Sequence, residues 1–226
     1  MRWITSALLV GLFTISAVQS AQAGIIVGGS RVIYEAKSKE VSLQVKNPEK
    51  QGAYLVQTWV DNEKEQNTSK TPFIITPPLF RLDAGQENLL RIVFTGNGLP
   101  TDRETAYWLN IKSIPSVEKT DKNRLLISVN TRIKMFYRPT GLDTQSAGQA
   151  YKQLTFRQQG NMLHMTNPTP YYVSFSELTV GGKRIEQAGM VPAKGEASLK
   201  LPDGTAGQIT WKAINDYGGV TEKAVQ

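Results

Sequence analysis

Two sets of charged residues in this 226-residue chain have types and spacing that chemistry could use. The first lies in "TRIKMFYRPT", Thr131 to Thr140, where Arg132 and Lys134 share one face of a segment that stops at Arg138-Pro139. Two cations on one strand face are either solvated decoration or a seat for an anion, which charge-assisted hydrogen bonds would hold. The second set is dispersed: Glu104 in "LPTDRETAYWLNIKSIP", Arg138 before its proline, and Asp216 in "INDYGG". A guanidinium is a planar fork able to hold two carboxylates at once. These three are therefore either independent surface charges or a lock between two parts of the chain.

Catalytic chemistry finds little to work with. There is one histidine, His164, and it sits in the alternating stretch "MLHMTN", where a partly buried strand residue is expected rather than a base or a ligand. With no cysteine and no second histidine, the usual zinc sets cannot be assembled. No GxSxG elbow and no phosphate-cradling glycine loop occurs. The expectation is a protein that is not an enzyme and needs no cofactor or metal. The formal net charge of +7 invites an anionic partner, but the lysines and arginines are interspersed with acids. That pattern reads as a solvated surface, with no nucleic-acid partner and no membrane insertion.

The elements that must position these residues are strands. Arg2, the largely apolar run from Ile4 to Val18 and the small residues Ala21 to Ala23 read as a secretory signal peptide, residues 1–23, cleaved before Gly24. The remaining chain has no cysteine to staple it, so packed cores must supply its stability. Period-two segments then follow one another: "EVSLQVKN", "AYLVQTWVD", "PFIIT", "NLLRIVFT", "AYWLNIKSI" and "RLLISVNTRIKMFY". In the last, Leu125, Ile127, Val129, Ile133 and Met135 fall on one face and Lys134 on the other. Alternation lapses in "RPTGLDTQSAGQA", which reads as a linker, and resumes in "NMLHMTN", "YYVSFSELTV", "ASLKL" and "GQITWKAI". No segment has helix-length periodicity with caps. Short strands with frequent turns predict an all-β fold of two consecutive sandwiches. The sequon at Asn67 is too short a pattern to carry weight.

The chain nearly end to end resembles the periplasmic chaperones of chaperone–usher pilus assembly, the PapD-like and FimC-like family. The resemblance rests on five segments in order: "TPPLF", "LPTDRETAYWLNIKSIP", "TRIKMFYRP", "NPTPYY" and "INDYGG". It implies two immunoglobulin-like β-sandwich domains in a boomerang, residues 24–143 and 144–226. The N-terminal domain would bind pilus subunits, with Arg31 and Lys134 anchoring a subunit's C-terminal carboxylate. Leu125, Ile127 and Val129 would complete the subunit's fold as a donor strand, and Glu104, Arg138 and Asp216 would form an inter-domain salt bridge. Delivery to an outer-membrane usher follows from the same resemblance, as does a cis bond within Thr76-Pro77-Pro78.

Three further expectations accompany it. The short connection from Ile114 to Arg124 resembles the subclass serving rod-like pili. Lys134 has the opposite parity to Val129, so twist or a bulge is expected to reconcile their roles, while Arg132 is expected to be exposed decoration. An uncovered apolar donor segment predicts self-association, possible as a self-capping dimer when no client is bound. The alternative is a secreted two-domain adhesion or ligand-binding module.

Overall fold

The computed structural model describes residues 24–63, 70–96, 98–117 and 125–226. The signal peptide, the Asn67 sequon and most of the Ile114–Arg124 connection lie outside the described residues. Among the described residues, nine strands make the first sandwich: β1 (Ile26–Val27), β2 (Arg31–Glu35), β3 (Val41–Lys46), β4 (Tyr54–Asn62), β5 (Phe73–Thr76), β6 (Leu79–Leu82), β7 (Glu87–Phe94), β8 (Thr105–Pro115) and β9 (Val129–Arg138). One sheet runs β1-β3-β7-β5 and the other β2-β9-β8-β4-β6. Alternation decides which side chains meet between them. Leu43 and Val45 of β3, Leu90 and Ile92 of β7, Leu109 and Ile111 of β8 and Ile133 and Met135 of β9 are all buried in one core. The Thr76–Pro77 bond is cis, which resolves which proline of the pair carries that bond.

The N-terminal segment changes sheets. β1 pairs with β3 in one sheet, whereas β2 pairs in parallel with β9 in the other. Gly28 sits at the crossing, where an added Cβ would lie 3.2 Å from both the Cβ and the carbonyl oxygen of Gln44. A side chain there would push the crossing chain off β3.

The second sandwich contains β10 (Thr155–Gln159), β11 (Met162–Asn167), β12 (Val173–Val180), β13 (Lys183–Arg184), β14 (Met190–Val191), β15 (Gly195–Lys200), β16 (Ile209–Ala213) and β17 (Ala224–Val225). Its sheets run β10-β11-β15 and β13-β12-β16-β17, with β14 beside β12. Leu163, Met165, Leu178, Val180, Val191 and Trp211 fill its separate core. His164 lies on β11 with Nδ1 2.8 Å from the Ser198 hydroxyl, as a strand residue should.

The stretch read as a linker is more ordered than its composition suggests. Helix α1 (Thr144–Gln149) and a 3-10 turn over Ala150–Gln153 occupy it. Asp143 caps the helix by accepting from the Ser146 amide. Six residues are too few for a periodic pattern to register in sequence, yet Ala150 and Tyr151 are buried in the second core. This core, and not intrinsic propensity, holds the turn in place.

Candidate functional site

Register lines the candidate residues up on the outer face of the β2-β9-β8-β4 sheet, the face turned toward the second sandwich. Arg31 pairs with Lys134, Lys134 with Trp108, and Trp108 with Asp61, so four side chains share one row. The next row holds Arg132, Asn110 and Trp59. In the other direction, past Ile33 and Phe136, lie Glu35 and Arg138. At about 3.3 Å per residue, Lys134 and Arg138 are roughly 13 Å apart along the strand.

Arg138 is the buried centre of the hinge, 2 % exposed. Its Nε donates to Glu104 Oε1 at 2.8 Å, and Nη1 and Nη2 donate to the two carboxylate oxygens of Asp216 at 2.7 and 3.0 Å. Asp216 belongs to the second sandwich, so the lock spans both units. Glu104 also takes the Tyr172 amide at 2.8 Å, and its own amide donates to the Pro170 carbonyl. Burial pushes Glu104 upward, against the attraction of Arg138 and the bond from the Tyr172 amide. Burial alone would lower Arg138, but the hydrogen bond to Asp216 and the attraction of both carboxylates outweigh it and raise it.

The "NPTPYY" segment is shaped for this contact by Asn167. Its amide donates to the carbonyls of Tyr171 and Pro192, while its oxygen accepts from the Thr169 amide and hydroxyl. A buried Asn satisfied in this way fixes an otherwise irregular loop. The "INDYGG" turn is fixed similarly, since Asn215 Oδ1 accepts from the amides of Tyr217 and Gly219. Gly218 has φ +83° and packs so closely on Ser30 that a Cβ would come within 2.6 Å of its hydroxyl. The turn is thereby held against the residue preceding Arg31.

Arg31 and Lys134 form a cation pair with no carboxylate bonded to either among the described residues. Arg31 Nη1 donates to the Ile214 carbonyl at 2.8 Å, and its Nε is buried with no hydrogen-bond partner. Lys134 Nζ donates to the Ser174 hydroxyl at 3.1 Å. Burial, and then repulsion from Arg31, pull the Lys134 ammonium down to about 8, with Glu63 opposing. Burial likewise lowers Arg31, against the attraction of Asp216 and Glu104. Two desolvated cations side by side are costly unless an anion joins them.

The strand that carries Lys134 is regular. β9 keeps one register with β8 from Val129 to Tyr137 and one with β2 from Lys134 to Arg138. Of the twist or bulge expected, no bulge interrupts these registers, and Val129 and Lys134 lie on opposite faces of the strand. Of the three residues expected to form a donor strand only Val129 lies within β9, while Leu125 and Ile127 precede it. They have no ladder partner among the described residues, and Leu125, Ile127 and Val129 are 86, 65 and 46 % exposed. Between Val129 and Ile133, β9 pairs only with β8 among the described residues, so its other edge is open there.

Arg132 also departs from the expectation of mere decoration. Its guanidinium lies 4.7 Å over the Trp108 ring. The residues that sequence reading missed are Tyr172, Ser174 and the Ile214 carbonyl, which touch the lock or the cation pair, and Glu63, which accepts from Tyr172. Tyr172 donates to Glu63 at 3.0 Å across the hinge. Nothing in residue type marks Ser174 or a backbone carbonyl, and only the folded hinge reveals them.

Comparison with known proteins agrees with this geometry. Residues 24–143 match the family described as pili and flagellar-assembly chaperone, PapD N-terminal domain, and residues 149–225 match the pili assembly chaperone PapD, C-terminal domain. The chain belongs to the PapD family of pilus-assembly chaperones. A probable fimbrial chaperone LpfB of Escherichia coli O157:H7 is 45 % identical, over 96 % of this chain and 93 % of that protein. The FimC chaperone of Escherichia coli K12 is 42 % identical over 97 and 92 %. Among solved structures, one of the Salmonella enterica SafA pilin in complex with the SafB chaperone superposes with TM-score 0.80 at 37 % identity, covering 90 % of this chain and 95 % of its match. The Escherichia coli chaperone DraB gives 0.77 at 35 % over 90 and 97 %. The PapD-family fold accounts for two all-β sandwiches joined at Arg138. Among the described residues, no helix is long and apolar enough to cross a membrane.

Proposed function

We propose that this PapD-family chain is a periplasmic, non-enzymatic chaperone that captures pilus subunits by lending them a strand and then passes them to an outer-membrane usher. The observation that carries the reading is the cation pair at the inner end of an open strand edge. β2 begins at Arg31, directly beside Lys134, and runs parallel to β9. A client strand entering the unoccupied lane beside Val129 to Ile133 would run parallel to β9 and end where β2 begins. Its terminal carboxylate would meet Arg31 and Lys134, supplying the anion these two cations lack.

The two faces of the donor segment divide the task. Leu125, Ile127 and Val129 project apolar side chains toward the client, while Lys134 faces the cleft. Main-chain bonds along the open edge would give affinity and the alternate side chains would fill client pockets. The carboxylates at the hinge, Glu104 and Asp216, are tied to Arg138, which favours an orienting role over a catalytic one. A domain boundary at 143/144 is supported by Asp143, which caps the helix whose following turn packs on the second core. The usher as acceptor, the periplasm and the rod-pilus subclass rest on the family.

The experiment is capture from the periplasm of the native host with tagged wild type and Ile127→Asp. Ile127 is 65 % exposed, belongs to neither buried core and has no ladder partner among the described residues. Wild type should bring down small β-rich subunits, and the variant should lose them by an order of magnitude or more at an unchanged melting temperature. Equal capture by both would remove the strand-donation mechanism. The free protein should also associate in a concentration-dependent way through the same segment. Sedimentation of wild type should show dimer at high concentration, and Ile127→Asp should remain monomeric. A wild type that stays strictly monomeric would mean this edge is covered some other way.

A further inference from the structure

The row next to the cation pair has no part in the reading so far. Arg132 reaches over Trp108, one row inward, with the guanidinium 4.7 Å from the ring. Stacking on an indole orients the guanidinium plane. Behind it, Asn110 is 1 % exposed and its amide donates to Asp61 Oδ2 at 3.0 Å. That donation sets the Asn110 oxygen outward, where it accepts from Asn130 at 3.1 Å. Trp59 donates to the same Asp61 oxygen at 3.1 Å. The surface around Arg132 is thus built on bonded, fixed neighbours and not on mobile side chains.

Register states what would lie against it. In a parallel pair, partnered residues point to the same face, as Arg31 and Lys134 do. A strand in the open lane therefore presents its cleft-facing side chains opposite Arg132 and Asn130, and turns the intervening ones away. With Arg31 and Lys134 two residues further on, Arg132 extends a line of positive charge along that lane.

We propose that Arg132, held on Trp108, is a specificity-determining residue that reads the terminal strand of the client and favours an acidic side chain in the slot opposite it. This inference deepens the capture mechanism proposed above and rests on it. The carboxylate anchor fixes where the strand ends, and Arg132 then discriminates between strands that end in the same way. Opposite charges paired across strands are worth enough for about a fivefold preference.

The test uses ten-residue peptides of alternating valine and threonine with a free C-terminal carboxylate. Glu, Gln or Lys is scanned through the last six positions, and binding to the full mature chain is followed by calorimetry. Preference for Glu over Lys should appear at alternate positions only, about fivefold at its maximum, and vanish in Arg132→Gln. Arg132→Lys keeps the charge but loses the planar stack, so it should retain part of the preference. A flat scan, a preference blind to parity, or one unchanged in Arg132→Gln would overturn the role of Arg132 while leaving the anchor standing. Amidated peptides distinguish the other failure. If they bind as well as the free acids, or if neither binds, the carboxylate anchor itself falls and this inference with it.

Discussion

Lys134→Ala is expected to weaken subunit capture by about 10- to 100-fold, the worth of one charge-assisted hydrogen bond of about 1.5–3 kcal/mol, without unfolding the protein. Arg31→Ala should do the same, with an added effect on the hinge because Arg31 also donates to the Ile214 carbonyl. The pH dependence gives a sharper signature. Lys134 is held down to about 8 in the free protein by burial and by Arg31, and a bound carboxylate favours the ammonium. Capture should therefore be strongest below pH 8 and fall as the ammonium loses its proton, by about tenfold between pH 7 and 9. Lys134→Ala should abolish this dependence. The free protein should respond in the opposite sense. Because the folded value lies below the unfolded one, the unfolded chain binds more protons between about pH 8 and 10, and stability rises with pH across that window. Lys134→Met should thus melt several degrees higher than wild type at pH 7 while failing to capture. Titration calorimetry against a free-acid peptide and thermal melts over pH 6–10 check both. Unfolding of Lys134→Ala would make the residue structural, and undiminished capture would dismiss it as the anchor. Binding indifferent to amidation would favour an adhesion module.

The same cost explains what sequence could and could not disclose. Strand existence was legible because Leu43, Val45, Ile133 and Met135 alternate with polar neighbours, and alternation is how a half-buried strand is written. Which strands pair was not, because periodicity carries no partner information. The parallel β2–β9 pair, on which the anchor depends, brings Arg31 to Lys134 from 103 residues away. Short α1 escaped notice because its order comes from Ala150 and Tyr151 entering the second core, which no local pattern announces. For Glu104, Arg138 and Asp216, residue type offered a lock or independent surface charges, and only the family resemblance favoured the lock. The parity conflict between Val129 and Lys134 seemed to need a bulge only while both were assumed to serve one face. Arg132 read as decoration because its stacking partner, Trp108, comes from the neighbouring strand and sits one row off its own register partner.

Removing Arg138 is expected to destabilise the protein more than any other single change at the hinge. Among the described residues, Arg138→Ala would leave the Glu104 carboxylate, 4 % exposed, with the Tyr172 amide as its remaining partner, and would remove the two bonds from Arg138 to Asp216. Breaking a buried ion network from one side costs about 3–5 kcal/mol, which for domains of this size lowers the melting temperature by on the order of 15 °C. Other contacts cross the hinge, but they differ in kind. Lys194 to Asp102 at 2.8 Å is exposed and screened, so it cannot substitute. Tyr172 to Glu63, Lys134 to Ser174 and Phe136 against Tyr172 hold local positions but bring no opposite charges together across the hinge. A compensated variant separates stability from orientation: Glu104→Gln, Arg138→Met and Asp216→Asn together remove every charge of the lock and leave no buried ion exposed to an apolar site. Stability should return toward wild type, because replacing a whole buried network is far cheaper than breaking it, yet the inter-domain angle should stay loose. The absence of cysteine allows spin labels at introduced Gln51→Cys and Asp203→Cys, one on each sandwich. Electron-electron distance distributions should be narrow for wild type and broad for both Arg138→Ala and the compensated variant. A compensated variant with a narrow, unshifted distribution would show that the remaining contacts set the angle and that Arg138 serves stability alone. Because Arg31 and Lys134 are each held by the second sandwich, through the Ile214 carbonyl and the Ser174 hydroxyl, a loose angle should also weaken capture even in the stable variant.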